Sequence, residues 1–352
     1  MTVAKSDLPA APLRMGAPSL PVRAAGRLIN LFIAAVDIYA LSALLYLGAR
    51  LLVGEAWQPV NFANNLMPSL LIPALILWVV VGLMRRWRTL ILLSPSVAVF
   101  AGLYGAMLLP KAVQIPPDAP TLTIMTWNLH RAVTSDEVQA ALEIIRDVNA
   151  DIVALQEFTQ PAADFLTPRI ADLYPYNALY PYARGVNGMG IYSRFPIYAE
   201  SFWTGLLGNM RVQMSFADTL FTFYNVHPPS PGLTVDTRFR TAEITDLLDR
   251  FAGETTPLIV VGDFNLTDQS NDYARLTEVL TDSFREAGEG LGLTFPNLGY
   301  ANPLLGAAPP IIRIDYIFHD ANWHSLASRV YESSGASDHY PVISTLAFVG
   351  AE

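Results

Sequence analysis

Three apolar runs in the first third of the chain decide most of what it can fold into. Residues 28–53 hold one acidic side chain, Asp37, and meet Arg50 only near their end; residues 66–84 and 90–109 carry no charge. Each is about 20 residues or slightly more, enough to cross ~30 Å of hydrocarbon as a helix. A soluble helix of that length keeps a polar face, and these keep none. The first run starts too late and is too long for a cleaved signal peptide, and two more follow it. The expectation is a segment 1–27 in the cytoplasm and three transmembrane helices within 28–111. Lys5, Arg14, Arg23 and Arg27 precede the first run, and Arg85, Arg86 and Arg88 separate the second from the third, whereas the other two flanks carry only Arg50 and Lys111. Basic flanks stay inside, so the N-terminus is expected inside and everything after about residue 115 outside. Asp37 falls within a span; with no partner legible in the sequence, it is read as structural.

Charge divides the chain in the same place. Residues 1–119 carry nine basic and four acidic side chains, or +5; residues 120–352 carry 13 and 27, or −14, which together make the net −9. A unit at −14 repels a phosphate polymer at long range, where a nucleic-acid binder shows a basic stripe. The absence of cysteine removes disulfides, thiolate metal sites and Cys nucleophiles. Any metal must be held by oxygen or by histidine.

Residues 112–120 (AVQIPPDAP) read as a Pro-rich linker, and 121–352 as one domain in which strands and helices alternate. Strands are expected over 122–128, 152–157, 190–193, 212–216, 220–227, 258–261, 311–318 and 342–348. Helices are expected over 134–148, 238–251 and 273–279, the first opened by a Thr134/Glu137 capping box. Polar residues recur at the strand ends: Asn128, Gln156-Glu157, Asn225-Val226-His227, Asp263-Phe264-Asn265 and Ser337-Asp338-His339. Taken alone, Asp263 and Asn265 are an Asx turn, Asn128 a turn residue, Glu157 a surface acid and His227 a core histidine. Asp315 resists so plain a reading, because a carboxylate between Ile314 and Tyr316-Ile317 is costly unless paired. Together they form one inventory. Carboxylates and asparagine oxygens are hard ligands for Mg²⁺ or Mn²⁺, and histidines hold or protonate phosphate oxygens. Metal-assisted hydrolysis of a phosphate ester is the chemistry these residues suit.

Asn128 in TWNLH, Glu157 in LQEF, His227 in NVHPP, Asp263 and Asn265 in GDFN, Asp315 in RIDYIF and Asp338-His339 in SDHYPV also stand in a familiar order. Over about 121–348 the chain resembles the endonuclease/exonuclease/phosphatase superfamily. That superfamily includes pancreatic deoxyribonuclease, the abasic-site endonucleases, neutral sphingomyelinases and inositol polyphosphate 5-phosphatases. GMGIYSRFPI (188–197) resembles a structural strand of the same superfamily. The resemblance implies a DNase-I-like four-layer α/β sandwich, two packed mixed sheets flanked by helices. It implies that Glu157, with Asn128 and Asp338, holds a divalent metal, Mg²⁺ or Mn²⁺. Asp263 would deprotonate the attacking water and Asn265 steady the phosphate. His339, supported by Asp315, would stabilise the charge developing on phosphorus, and His227 would be a second phosphate contact. Arg211 stands where some relatives place a substrate-binding arginine. His130, His319 and His324 match no motif and are read as structural or exposed.

The arrangement of three spans before such a domain resembles the VanJ type of membrane protein linked to teicoplanin resistance. That similarity implies an undecaprenyl-pyrophosphate-like lipid phosphate at the outer membrane face. Two other readings stay open. One is an extracytoplasmic nuclease, which would need basic and stacking residues near 184–190 and His227; Pro228–Gly232 offers none, and Tyr180, Tyr182 and Arg184 offer a little. The other is a catalytically inactive membrane-tethered binding module. Oligomeric state is not legible.

Overall fold

The computed structural model describes residues 20–109, 111, 118–183, 185–230, 237–301 and 308–350. Most of the segment 1–27 and of the linker 112–120 therefore lies outside the described residues.

The apolar third is helical. α1 (Leu20–Leu52), α2 (Gln58–Asn65), α3 (Met67–Leu83) and α4 (Trp87–Tyr104, extended by a 3-10 turn to Leu108) account for it. Two stretches, Ala24–Leu52 and Trp87–Leu108, are long and apolar enough to cross a membrane. The expected third span is less simple. α3 has 17 residues and rises ~26 Å, at the short end of what a bilayer needs. It gains length only with α2, from which it bends by 66°. The cause is local: Leu66 leaves helical geometry at the junction, Pro68 sits in the first turn of α3, and α2 buries Asn61 and Asn64. Polar bonds tie the helices together. Thr89 Oγ1 donates to Asp37 Oδ1 at 2.7 Å, which supplies the partner the sequence could not name, and Tyr39 Oη donates to Leu70 O at 2.7 Å.

The rest is two six-stranded sheets packed face to face. The first is built from β1 (Thr121–Asn128), β2 (Ile152–Gln156), β3 (Tyr176–Tyr180), β4 (Met189–Ser193), β11 (Trp323–Val330) and β12 (Val342–Phe348), in the order β11-β12-β1-β2-β4-β3. The second is built from β5 (Ile197–Thr204), β6 (Gly208–Phe216), β7 (Thr219–Val226), β8 (Leu258–Asp263), β9 (Thr281–Asp282) and β10 (Asp315–His319), in the order β5-β6-β7-β8-β10-β9. Each sheet has one parallel pair, β1 with β2 and β7 with β8, and every other pairing is antiparallel. A helix makes each crossover: α5 (Ser135–Val148) and α7 (Thr237–Ala252).

Alternation along the strands separates the layers. Ile124, Ala154, Ile191, Val212, Phe223, Ile259 and Val261 face the other sheet. Met125, Trp127, Val153 and Leu155 face α5 and α6 (Gln160–Ile170). Tyr224, Val226, Val260 and Phe318 face α7 and α8 (Asn271–Thr277). This is the expected four-layer α/β sandwich. The Thr134/Glu137 capping box is present at α5. Polar bonds cross the central layer: Gln156 Nε2 donates to Asn225 Oδ1 at 2.7 Å, and Asn225 Nδ2 to Leu155 O at 3.0 Å.

The helices and the sandwich are joined. Leu47, Met67, Leu71, Phe100, Tyr104 and Met107 pack with Phe284 of α9 (Ser283–Ala287). Arg285 Nη1 donates to Leu103 O at 2.9 Å, and Gly290 N to Met107 O at 2.7 Å.

Candidate active site

Both parallel pairs point the same way, so the C-terminal ends of β1, β2, β7 and β8 meet at one end of the sandwich. In α/β sheets that end is where ligands bind. Asn128 ends β1, Glu157 follows β2, His227 follows β7 and Asp263 ends β8. β10 runs antiparallel to β8, which sets Asp315 directly opposite Asp263.

Two like carboxylates facing each other across a strand pair repel. His339 resolves this. Its Nδ1 lies 3.0 Å from Asp315 Oδ2 and its Nε2 3.6 Å from Asp263 Oδ2, all three residues being buried. Burial alone would lower the His339 pKa, but Asp315 and then Asp263 push it up to about 10, which favours the protonated ring. Burial likewise works against the Asp263 anion, but His339, His227 and Asn128 outweigh it and hold the carboxyl below its ordinary range. Burial raises Asp315 above that range. The ligand atoms of this trio lie within 4.8 Å of one another, a buried acidic/histidine cluster. The remaining sequence residues surround it. Asn128 Nδ2 donates to Asp263 Oδ2 at 3.0 Å and to Glu157 Oε1 at 3.4 Å. His227 Nε2 is 3.5 Å from Asp263 Oδ2. Burial would lower its pKa, but the bond to Asp263 raises it. Asn265 N donates to Asp263 Oδ1 at 2.9 Å, and its Nδ2 to Pro228 O at 3.0 Å.

The donor set fits a hard divalent cation. Among the described residues Glu157 Oε2 is buried without a hydrogen-bond donor, and the cation beside it is Arg131, its Nε at 3.6 Å. An anionic oxygen left in that state calls for a positive charge. Asn128 turns its amide nitrogen toward the carboxylates, while its Oδ1 accepts from His130 N at 2.9 Å. In this geometry it ties Glu157 to Asp263.

Strain collects here. Eight described non-glycine residues have positive φ, and four of them, His130, Arg131, Glu157 and Asn265, belong to this site.

Arg211 is a correction. Its Nε and Nη2 make a bidentate pair with Glu254 at 2.6 and 2.7 Å. Glu254 precedes β8, at the opposite end of the strand from Asp263. The guanidinium is therefore spent on locking β6 and β7 to the start of β8. His130 corrects the other way. The sequence alone suggests a structural or exposed residue, yet its Nδ1 lies 2.9 Å from Asp338 Oδ1. Its place two residues after Asn128 was the available signal. Other supports carried no pattern: Ser337 Oγ donates to Asn128 O at 2.7 Å, Trp127 Nε1 donates to His339 O at 3.0 Å, and Arg240 Nη1 donates to Asn265 O at 2.8 Å. Tyr180 is no free stacking platform, being stacked on Phe202 at 4.7 Å and bonded to Glu200. Arg184 and residues 231–236 lie outside the described residues. His319 and His324 both contact Glu286, at 2.9 and 2.7 Å, as structural residues.

A two-sheet sandwich with this constellation at one end defines a phosphoesterase-type domain. The sequence profile of the Endonuclease/Exonuclease/phosphatase family matches residues 125–339, and the chain belongs to that family, whose members are hydrolases acting on phosphoesters. Among solved structures it is similar to an endonuclease/exonuclease/phosphatase from Beutenbergia cavernae (TM-score 0.55, 22% identity, covering 66% of this chain and 72% of that one). It is also similar to D. rerio TDP2 complexed with single-strand DNA product (TM-score 0.53, 18% identity, 64% and 98%). A third is the mannosyl-6-phosphatase Bt3783 of Bacteroides thetaiotaomicron (TM-score 0.50, 20% identity, 64% and 100%). At these identities the likeness shows the fold. Among curated proteins no sequence matches.

Proposed function

We propose that the protein is a divalent-metal-dependent phosphoester hydrolase, held in a membrane by its N-terminal helices, that acts at the extracytoplasmic face on a lipid phosphate or pyrophosphate. The observation that carries the lipid reading is where the catalytic loop is fastened. The segment leaving Asp263 and Asn265 is bonded to the helical unit through three of its residues. Thr267 Oγ1 is 3.3 Å from Asn65 Oδ1, Arg50 Nη2 donates to Gln269 Oε1 at 3.0 Å, and Asn271 N donates to Glu55 Oε2 at 3.1 Å. Ser69 Oγ, 3.3 Å from Ile311 O, adds a contact on the approach to Asp315. A site so close to membrane-length helices suits a substrate that stays in the bilayer. The −14 charge of residues 120–352 counts against duplex DNA. The basic residues before the first apolar run and between the second and third favour the outer face.

In this reading Glu157 and Asp338, with Asn128 beside them, hold Mg²⁺ or Mn²⁺, which when bound neutralises charge on the phosphate. Asp263, kept ionised by His339 and His227, takes the proton of the attacking water. Asn265 steadies the phosphate. The His339 imidazolium, fixed by Asp315, faces the oxygen on which charge builds, and His227 offers a second donor.

The test is phosphate release by the full chain in nanodiscs, with Mg²⁺, on undecaprenyl pyrophosphate, phosphatidic acid and DNA in parallel. Lipid-phosphate hydrolysis that a chelator abolishes and Mg²⁺ restores is expected. DNA cleavage without lipid-phosphate hydrolysis would overturn the lipid reading in favour of a nuclease. No turnover of any phosphoester would favour a binding module.

A further inference from the structure

Resting on that reading, we infer that an apolar groove at the domain-facing end of the helices seats the hydrocarbon chain of the lipid phosphate, with Arg50 at its rim receiving the phosphate end. The groove has a volume of about 320 Å³ and lies between α1, α3 and α4, at the low end of ligand-sized cavities. Leu47, Met67, Val99 and Leu103 line it; Leu51, 86% exposed, and Gly102 stand on its open flank. On helices of this length that flank faces hydrocarbon, so a chain enters sideways without crossing water.

Arg50 gives the groove a polar end. Its guanidinium bonds to uncharged groups here, Gln269 Oε1 at 3.0 Å and Gln269 O at 3.4 Å, with the Tyr46 hydroxyl beside it. Among the described residues no carboxylate forms an ion pair with it. A guanidinium offers five donors in a fork that matches phosphate oxygens. Gln269 lies four residues beyond Asn265, and Thr267 meets Asn65, two residues before the groove residue Met67. A chain seated in the groove therefore brings its head to the loop that carries Asp263 and Asn265. Apolar lining, one unpaired cation at the rim and continuity with the catalytic loop select an anionic single-headed lipid over a zwitterionic one.

The experiment uses the full chain in phosphatidylcholine nanodiscs and a polyprenyl phosphate with a diazirine in its tail. Crosslinks are expected within 47–51 and 99–103, at least fivefold weaker with unlabelled polyprenyl phosphate present and unchanged by more phosphatidylcholine. A Cβ at Gly102 meets nothing within 4 Å, so Gly102→Phe fills the groove without a backbone clash, and Gly102→Ala controls for folding by its melting temperature. Gly102→Phe is expected to weaken the crosslink at least tenfold. It should also lower at least tenfold the ratio of kcat/KM for undecaprenyl pyrophosphate to kcat/KM for a soluble chromogenic phosphodiester. Crosslinks elsewhere, equal displacement by phosphatidylcholine, or an unchanged ratio in a folded Gly102→Phe would overturn the groove and leave the hydrolase standing. A wild-type chain that cleaves the soluble ester but neither binds nor cleaves the polyprenyl compounds would overturn the lipid reading, and the groove with it.

Discussion

Gly262 sets how closely the catalytic corner can be built, and Gly262→Ala measures it. Its φ is +146°, and an added Cβ would lie 1.9 Å from Val226 O and 2.9 Å from Val226 C. Non-bonded atoms prefer ~3.5 Å, so the deficit to the oxygen is about 1.6 Å. The obstacle is backbone of the neighbouring strand, paired with Gly262 in register, and it cannot swing aside as a side chain would. Either β7 and β8 separate by more than ~1 Å or the peptide leaves its conformation. The positive φ costs a non-glycine residue about 1–2 kcal/mol, and a spoiled ladder bond about 1 more. A total near 3 kcal/mol corresponds to ~6–12 °C in Tm for a domain of this size. The adjoining residues are His227 and Asp263, and a ~1 Å displacement of reacting groups costs about 10²-fold in rate. Thermal unfolding and phosphate release on the full chain would read both effects. A variant within ~2 °C and threefold of the wild type would refute the argument that this close approach positions the site.

Asp263→Asn keeps the shape and removes the base; turnover is expected to fall about 10²–10⁴-fold in a steady-state assay, with the far-UV circular dichroism unchanged. Arg211→Met should lower stability by about 1–3 kcal/mol by stranding Glu254, yet leave kcat/KM within twofold; a large rise in KM would restore the substrate-binding role. Burial raises the Glu286 carboxyl, but hydrogen bonds from His319 and Ser325 overcome it and hold the group at about 2, against 4.5 unperturbed. A depressed folded pKa stabilises above the unfolded value, and the benefit is lost as pH falls from about 4.5 through about 2. The Tm advantage of the wild type over Glu286→Gln should therefore be full at pH 6 and vanish near pH 2; an advantage independent of pH would exclude this linkage.

The cluster was legible because its residue types are unusual at strand ends. Asp315 stood out as a carboxylate in an apolar strand, and the structure gives it His339 for a partner. What the sequence hid has physical causes. β5 has mostly exposed side chains, so it lacks alternation. β11 has an irregular register between Ser325 and Ala327, which breaks its period. α6 contains Pro161 and Pro168 and reads as a breaker. The strand expected over 311–318 begins at Asp315, because Ile312 pairs with Phe295 instead. Arg211 failed because spacing cannot say which end of a strand a long side chain serves. The middle apolar run is less simple than its hydropathy suggests, because hydropathy does not register the bend at Leu66.

The helices and the site are also coupled beneath the surface. Arg313, 4% exposed, holds Asp282 through Nη2 at 2.7 Å and Nη1 at 3.1 Å, two residues before Asp315. Asp268 lies 3.8 Å from the same guanidinium and 2.5 Å from Arg285 Nη2. Arg285 in turn bonds Leu103 O at the end of α4. A buried charge is tolerable only while its partners stay in place, and losing one costs about 3–5 kcal/mol. This chain of ion pairs runs from a membrane-length helix to the strand that presents Asp315. The apolar helices therefore do more than tether the sandwich. Cutting them away would expose Phe284 and leave Arg285 without its Leu103 contact, within one ion pair of the strand that supports His339. Activity of the sandwich and integrity of the helical unit are thus expected to fail together.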